Sequence, residues 1–463
     1  MEPRSLKYIC AAWAGERRYG SPDTLVSRIC TDSRQAQPGD LFFALAGERF
    51  DGHNFLAEVA KKKVAGLVVE RTKAPAADPG CAVLVVDNTR HALGQLAACY
   101  RADFNLPMVA VSGSNGKTTT KELLAVVLSE KFVTLWSEAS FNNDIGVPVT
   151  LLKLERTHEV AVLEAGTNHP GELAPLLRMI QPTFGVITSL GREHLEFFGD
   201  LSGVADEEGW LAELLPADGT LVINGDDEWT AHVTRRAKAK AVRVGFHASN
   251  DWRVSNVLAD EGGVTFQVAA PCDRFSGEYR VNLLGRHQAV NAMLAAAVGA
   301  ELGLSPDEVR RGLTRCKPPK MRLQIWEANG VRVLDDSYNA NADSMLAALQ
   351  TLHDLPAQGQ RIAVLGDMAE LGKHSAAAHA EIGRRAAELQ VSCLIAVGQW
   401  ARETADAARA AGLGSVIEFA DVPSAAAAVK EMVRPGDLVL VKASRSAGLE
   451  RVGEALGKRG NDQ

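Results

Sequence analysis

The chain has 463 residues, and its 50 Lys and Arg against 57 Asp and Glu give a formal net charge of -7. That length predicts about three domains, each able to bury its own core. The hydrophobic fraction of 46% and the charged fraction of 23% are typical of globular proteins, which argues against a disordered or fibrous chain. A mildly acidic chain does not attract a polyanion, so nucleic acid is not expected as a partner.

Membrane insertion and secretion are not expected either. No apolar run reaches the roughly 18 residues that a membrane-spanning helix needs. The apolar stretch at 8–14 is short, and the charged triplet ERR follows it where a signal peptide would need small residues. Seven scattered cysteines, never spaced as C-x-x-C, fit a reducing compartment and argue against a zinc site. We therefore expect a cytoplasmic protein.

In chain order, the first predicted domain covers 1–88. It is a small α/β unit, because β-rich runs at 41–45, 67–69 and 82–86 alternate with a helical pattern at 55–63. Helical spacing of apolar residues at 91–101 predicts a connecting helix. The second predicted domain covers 89–318.

The central domain is predicted to contain a doubly wound, mostly parallel sheet. It opens with the apolar strand MVAVS at 108–112, a glycine turn and a helix at 119–128. We expect further strands at 160–164, 184–189 and 220–223, and a helix at 289–302. A basic, proline-bearing stretch at 310–321 predicts the boundary with a third, Rossmann-like α/β domain at 319–463. Its strands are expected at 331–335, 361–365, 393–397 and 438–441.

The strongest chemical signal is the glycine turn, here called the glycine loop: Gly113, Ser114, Asn115, Gly116, Lys117, Thr118 and Thr119. Glycines let backbone N–H groups point inward, and the helix N-terminus adds partial positive charge. Lys117 can reach the terminal phosphates of a nucleotide, and Thr118 is placed to bind Mg²⁺. The loop is shorter than G-x-x-x-x-G-K-[ST], because Val111 stands at the first glycine position. The alternative is a simple turn with a solvated lysine, which the strand and helix context disfavours.

Polar residues at other strand ends form two further candidate groups. Glu164 ends the strand AVLE, and His194 follows the strand GVITSL; at the ligand-binding edge of an α/β sheet they could hold Mg²⁺ on a nucleotide. Singly, such a Glu is often a cap and such a His is often structural. The segment LDDSYNANADS at 334–344 offers short polar side chains suited to a ribose and phosphates, but these residues are also ordinary turn and cap formers.

Seven blocks, in chain order, resemble the successive motifs of the Mur ligases. They are VSGSNGKTTTKE, FNNDIGVPVTLL, VLEAGTNHPGEL, EHLEFFGDLSGVA, LDDSYNANADSM, VLGDMAELG and VKASRS. The resemblance implies three α/β domains and an ATP-dependent amide ligase that completes a peptidoglycan precursor. Its substrates would be UDP-N-acetylmuramoyl-tripeptide and D-alanyl-D-alanine, with ATP and Mg²⁺. The tripeptide carboxylate would become an acyl phosphate, which the amine of the dipeptide would then attack.

The resemblance also implies roles for single residues. The glycine loop would bind the triphosphate, with Lys117, His194 and Glu164 catalytic, and Thr118, Glu164 and His194 would hold magnesium. Around the adenine, ribose and phosphates it places Asn291, Arg322, Asp336 and Asn339. In the block TDSRQAQPGDLFFALAGERFDGH it assigns the uridine nucleotide to Ser33 and Arg34, where the residues alone indicate a hairpin and a turn. It places Lys442, Ser444 and Arg445 beside the dipeptide.

Two positions depart from the family pattern. Glu208 stands where most Mur ligases carry a carbamylated lysine that helps to hold a second Mg²⁺. We hypothesise that Glu208 supplies a permanent carboxylate there, although its carboxyl carbon lies on the order of 3 to 4 Å closer to the backbone. Gln288 replaces an asparagine of the adenine contact and keeps the amide.

The sequence disfavours three other functions. The sister ligase that adds the third peptide residue usually carries a D-N-P-R motif, which is absent from the last domain here. Folylpolyglutamate synthases have their phosphate loop near the start of the chain, whereas about a quarter of this sequence precedes Gly113. A non-catalytic nucleotide-binding module is disfavoured by the joint presence of Lys117, Glu164 and His194. The sequence leaves open whether the tripeptide ends in meso-diaminopimelate or L-lysine. Monomer and dimer give no distinguishing pattern, and a monomer is our expectation.

Overall fold

The computed structural model describes residues 1–13, 15–47 and 50–457. The chain divides into two compact units. Unit 1 comprises 1–110, 132–166 and 173–183, and unit 2 comprises 111–131, 167–172 and 184–463. This division does not test the predicted domain boundaries after residues 88 and 318, which stay predictions. Two residues of the predicted uridine block, Glu48 and Arg49, and the last six residues of the predicted third domain lie outside the described residues.

Unit 1 contains a five-stranded sheet near the N-terminus. Its strand order is Glu16–Tyr19, Ala82–Val86, Gly66–Glu70, Leu41–Phe43 and Ile29–Cys30. The first pair is antiparallel and the others are parallel. Every residue of Ala82–Val86 is buried, as expected for a continuous apolar strand in a parallel sheet. The predicted α/β character of this region is therefore confirmed.

Unit 1 also contains two further strand pairs and five α-helices among its described residues. Arg4–Ser5 pairs antiparallel with Leu25–Val26, and Thr134–Trp136 pairs in parallel with Val160–Glu164. The α-helices are Leu6–Ala11, Leu56–Lys61, Thr89–Arg101, Gly146–Leu151 and Leu173–Ile180. The strand Met108–Ser112 begins in unit 1, and its last two residues belong to unit 2.

Unit 2 contains a sheet in which some neighbouring strands are parallel and others are antiparallel. Its strands lie in the order Phe184–Ile187, Thr220–Asn224, Lys240–Gly245, Trp252–Asp260, Gly263–Ala269 and Gly277–Val281. The first four are parallel, and the last two add as antiparallel neighbours. The sequence prediction missed this antiparallel part, because Trp252–Asp260 buries only alternate residues and lacks a continuous apolar run.

Three helices of unit 2 support the glycine loop: Lys117–Leu128, Gln288–Glu301 and Pro306–Arg315, which contact one another. The last of these begins with a capping box formed by Ser305 and Glu308. It occupies the first half of the stretch 310–321, which the sequence analysis interpreted as a boundary. The burial of Val309, Gly312 and Leu313 at helical spacing explains why this basic stretch is helical. Other helices of this part are Leu195–Phe198, Leu201–Leu214 and Thr230–Thr234.

The second sheet of unit 2 has the Rossmann-like form that was predicted. Its order is Gln324–Ala328, Val331–Asp335, Leu438–Lys442, Arg361–Gly366, Cys393–Val397 and Val416–Phe419, and only the first strand is antiparallel. Two apolar clusters form the core. One includes residues of the helices Ala342–Asp354, Ser375–Glu388 and Ala401–Ala410, and the other includes residues of Val422–Met432 and Glu450–Leu456.

Two further features of the chain are its potential for membrane-spanning helices and its cysteines. Within the described ranges, no helix combines the length and apolarity that a membrane crossing requires. All seven cysteines are unpaired; Cys30, Cys316 and Cys393 are buried, whereas Cys272 is exposed.

The contact of Gly312 with the loop helix gives a test of the packing. A Cβ on Gly312 would lie 2.6 Å from Val127 Cα, which is backbone that cannot move aside. We expect Gly312→Ala to lower the free energy of unfolding by about 1–3 kcal/mol, against the gain of about 1 kcal/mol usual for this change in a helix. Gly94→Ala is the matched control, because a Cβ there meets only the flexible end of Met179 at 3.0 Å. Urea unfolding of both variants decides; equal midpoints would contradict the tight contact.

Candidate functional site

The glycine loop requires glycine at both of its glycine positions. Gly113 and Gly116 have φ angles of 114° and 87°, which side-chain-bearing residues rarely adopt. A Cβ on Gly113 would lie 2.6 Å from Thr188 Oγ1, and one on Gly116 would lie 2.9 Å from Asn291 Oδ1. Backbone conformation and close approach together therefore fix these two residues.

Neighbouring segments hold the loop in place. Ser114 Oγ accepts a hydrogen bond from the backbone N–H of Gly191 at 2.8 Å. The N–H of Asn115 donates to Ser189 Oγ at 2.9 Å, and Asn115 Oδ1 accepts from Asn341 Nδ2 at 3.0 Å. The loop is thus preorganised at the N-terminus of the helix Lys117–Leu128, where an anion is favoured.

Lys117 lies beside a carboxylate that the sequence analysis missed. Its Nζ donates to the carbonyl of Gly113 at 2.5 Å and lies 3.4 Å from Oε2 of Glu193, which is 8% exposed. Burial raises the pKa of Glu193, while the charges of Lys117 and His194 oppose that rise. The sequence feature that could have identified Glu193 is its position directly before His194 in the motif EHLEFFG. Thr118 and Thr119 are buried at the start of the helix.

Glu208 projects from the helix Leu201–Leu214 toward the same charges. It is 1% exposed, and its Oε2 has no hydrogen-bond partner among the described residues. Burial raises the pKa of Glu208 to about 7; Lys117 lowers it and Glu193 raises it, so these groups lie close enough to interact. The Ser112 hydroxyl and the Gly113 N–H also lower this pKa. Two buried carboxylates near one lysine form a place where a further cation would be stabilised.

The side chain of His194 is held by Glu370, which follows the strand Arg361–Gly366. The second sheet of unit 2, with its helices and loops, is here called the second sheet region. The Nδ1 atom of His194 bonds to the carboxylate of Glu370, and its Nε2 lies 3.9 Å from Glu193 Oε2. Its backbone has a φ of 50°, in the left-handed region. Glu370 lies in the motif VLGDMAELG, but the sequence alone indicated no role for it.

Glu164 belongs to unit 1 and ends the strand Val160–Glu164 there. It is buried; its Oε1 accepts from Asn142 Nδ2 at 2.8 Å, and its backbone N–H donates to Ser137 Oγ at 3.2 Å. Among the described residues its Oε2 has no hydrogen-bond partner. Within the described part of the chain, no three His, Cys, Asp or Glu side chains are already arranged as a metal site.

Asn291 is the predicted nucleotide residue that lies directly at the loop. It contacts Gly116, as described above, and its Nδ2 donates to Gln288 Oε1 at 2.9 Å. Gln288 in turn bonds to His287 at 3.1 Å between their Nε2 atoms. Gln288, which stands in place of the family's asparagine, therefore keeps its side-chain amide hydrogen-bonded to Asn291.

Of the other predicted nucleotide residues, Asp336 and Asn339 contact Lys442, and Arg322 contacts Tyr338. The Arg322 guanidinium stacks over the Tyr338 ring at 4.3 Å. Lys442 is 2% exposed, and its Nζ donates to Asp336 Oδ2 at 2.5 Å and to the carbonyl of Asn339 at 3.0 Å. Lys442 thus anchors the segment that carries Asp336 and Asn339, and its ammonium group is buried in this conformation.

The predicted substrate residues at the two ends of the chain differ in exposure. Ser33 begins a short 3-10 helix, and the exposed Arg34 pairs with Asp32 at 2.7 Å. Ser444 is buried and accepts from the N–H of Ala369 at 2.7 Å. Arg445 is exposed and lies 3.4 Å from Glu450. Of these, Arg34 and Arg445 present charge at the surface.

The imidazole of His287 makes stability depend on pH. Desolvation lowers the pKa of His287 to about 4, so the folded chain holds it neutral while the unfolded chain protonates it below about 6.5. Its contribution is complete above pH 6.5 and is lost as the pH falls toward 4, at up to about 1.4 kcal/mol per pH unit. We expect His287→Asn to flatten the fall in the free energy of unfolding between pH 6.5 and 5. Identical slopes in wild type and variant, from urea titrations, would contradict this.

Comparison with known proteins places this geometry in a family. Family models match in order: the Mur ligase family catalytic domain at 25–101, the middle domain at 111–299 and the glutamate ligase domain at 321–445. The Escherichia coli K12 protein UDP-N-acetylmuramoyl-tripeptide--D-alanyl-D-alanine ligase is 38% identical over 444 residues, which cover 95% of each chain.

Solved structures agree with these matches. A crystal structure of MurF from Acinetobacter baumannii has a TM-score of 0.89 at 33% identity and covers 98% of this chain and 99% of that one. MurF from Thermotoga maritima in complex with ADP has a TM-score of 0.81 at 27% identity, with coverage of 93% and 96%. The predicted fold class of three α/β domains is confirmed. The chain belongs to the Mur ligase family.

Proposed function

We propose that this chain is an ATP-dependent ligase that joins D-alanyl-D-alanine to UDP-N-acetylmuramoyl-tripeptide, with ADP and phosphate as the other products. The observation that carries the proposal is the preorganised glycine loop, whose Lys117 lies among buried carboxylates next to His194. The printed name of the Escherichia coli relative supports the substrates. The ADP in the Thermotoga maritima structure supports the nucleotide.

The first step requires a carboxylate oxygen to become a leaving group. The tripeptide carboxylate attacks the γ-phosphorus of ATP, ADP leaves, and an acyl phosphate forms. This transfer needs positioning and neutralisation of charge more than covalent chemistry. The loop N–H groups hold the phosphates, and Lys117 moves its ammonium charge from the loop carbonyls and Glu193 to the phosphate oxygens.

In the second step the amine of the dipeptide attacks the acyl carbon, and phosphate leaves from a tetrahedral intermediate. The acyl phosphate must be kept from water until then, which requires enclosure by the protein. Arg445, which is exposed, would pair with the dipeptide carboxylate beside Ser444 and Lys442. Asn291, Arg322, Asp336 and Asn339 would hold the adenosine side of ATP, and Ser33 and Arg34 the uridine nucleotide.

The residues of the site fit a divalent cation. The fit rests on the buried Oε2 atom of Glu208, which has no partner among the described residues, since a buried carboxylate oxygen is costly unless it is paired. Mg²⁺ would be held by Thr118, Glu164, His194 and Glu208, all oxygen or imidazole ligands. When bound, it neutralises charge that develops on the transferred phosphoryl group.

The remaining assignments are also proposals. We place the domain boundaries at 1–88, 89–318 and 319–463, the site of action in the cytoplasm, and the working form as a monomer. The third residue of the tripeptide is decided by the assay that follows.

The direct test is an assay with purified protein, ATP, Mg²⁺ and D-alanyl-D-alanine. UDP-N-acetylmuramoyl-tripeptide ending in meso-diaminopimelate or in L-lysine is supplied in turn. We expect phosphate release only when both the nucleotide substrate and the dipeptide are present, with a product of the mass of the joined peptide. Lys117→Met should lower kcat by about 10³-fold, because it removes a charge on the transferred group. Lys240→Met is the control, as Lys240 is exposed and pairs with Glu301. Phosphate release without either acceptor would contradict the proposal.

Glu208 gives a second prediction. If its carboxylate helps to hold the cation, Glu208→Ala should lower kcat by about 10- to 100-fold and raise the Mg²⁺ concentration needed for half-maximal rate. Glu208→Lys should regain activity only with added bicarbonate, which can carbamylate the lysine. Glu213→Gln is the control, because Glu213 is exposed on the same helix and pairs with Arg236. Undiminished activity of Glu208→Ala would remove Glu208 from the mechanism.

A further inference from the structure

The block VLGDMAELG contains the end of the strand Arg361–Gly366 and the segment that follows it. The N–H of Met368 donates to His379 Nε2 at 3.0 Å, and the N–H of Ala369 donates to Ser444 Oγ at 2.7 Å. The carboxylate of Asp367 accepts the N–H of Trp400 at 2.9 Å. These contacts fix the backbone immediately before Glu370, so the position of its carboxylate is determined by the second sheet region.

Glu370 and His194 face each other in the same unusual backbone conformation. Their φ angles are 61° and 50°, although neither is glycine. The left-handed region is unfavourable for such residues and persists only where the surroundings determine it. The Glu370 carboxylate bonds to His194 Nδ1, and the Glu370 carbonyl accepts the N–H of Glu196 at 3.0 Å. The two strained residues are thus joined through their side chains, and a backbone hydrogen bond from Glu196 to Glu370 joins the segments that carry them.

A second, independent set of contacts holds the segment that carries His194 against the helices Ala342–Asp354 and Ser375–Glu388. Arg192 pairs with Asp343 at 2.7 Å and with Glu381 at 2.6 Å. Leu195 and Leu371 belong to one buried apolar cluster. The segment that carries His194 is therefore docked against the second sheet region by ionic and apolar contacts on either side of the His194–Glu370 pair.

We propose that Glu370 is a positioning residue for His194. A carboxylate at Nδ1 makes that nitrogen the donor, so the lone pair lies on Nε2, which faces Glu193 beside Lys117. Glu370 thereby presents His194 as a ligand for the divalent cation of the nucleotide, and it does so only while the two segments are docked. This inference rests on the proposed role of His194 in binding that cation.

The test measures Mn²⁺ binding by electron paramagnetic resonance, with the full-length protein and a non-hydrolysable ATP analogue. We expect His194→Ala and Glu370→Ala each to weaken Mn²⁺ binding by about 10-fold or more. Glu370→Gln, which keeps an acceptor oxygen, should weaken it less. Glu381→Gln is the matched control, because it loses a docking contact to Arg192 without touching His194, and its Mn²⁺ affinity should stay within about 2-fold of wild type.

The outcomes separate the two claims. Unchanged Mn²⁺ binding in His194→Ala would overturn the proposed cation role of His194 and the inference with it. Loss in His194→Ala with wild-type binding in both Glu370 variants would overturn the positioning role alone. Equal losses in Glu370→Gln and Glu381→Gln would also overturn it, because docking would then explain the effect. If Glu370→Ala does not fold, the comparison of Glu370→Gln with Glu381→Gln decides.

Discussion

The charge of Lys117 in a buried setting is the constraint on which the rest of the site depends. An ammonium group near the buried carboxylates of Glu193 and Glu208 is stabilised by them, but the two carboxylates repel each other. Burial raises the pKa of both carboxyl groups, which means that their ionised forms are costly without more positive charge. A bound nucleotide would bring the negative charge of its phosphates close to Lys117. Its cation would bring positive charge close to Glu193 and Glu208.

This charge arrangement can exist only because the backbone around it is fixed. Gly113 and Gly116 allow the loop to approach Thr188 and Asn291 more closely than any side chain would permit. Ser189 and Gly191 then hold the loop from the neighbouring strand end. A flexible loop would lose conformational entropy on binding phosphates, whereas this one has already lost it in folding.

The second sheet region contributes to the same site in two ways. Asn341 bonds directly to Asn115 of the loop, and Glu370 bonds to His194.

The burial of Lys442 affects how this charged residue is interpreted. The resemblance placed it beside the dipeptide, whereas here its ammonium group is buried against Asp336 and the Asn339 carbonyl. In this conformation its charge is paired with the Asp336 carboxylate inside the protein.

The sequence by itself determined the elements whose signal is local. The apolar strands Ala82–Val86 and Cys393–Val397 were found because both of their faces are buried, and the glycine loop because its residues are consecutive. Trp252–Asp260 was missed because one face meets water. Only the tertiary structure decided which distant carboxylates meet Lys117 and His194. Glu370 lies far from His194 in the chain, and Glu193 and Glu208 lie far from Lys117, so the fold alone brings these groups together, which no local pattern of residues encodes.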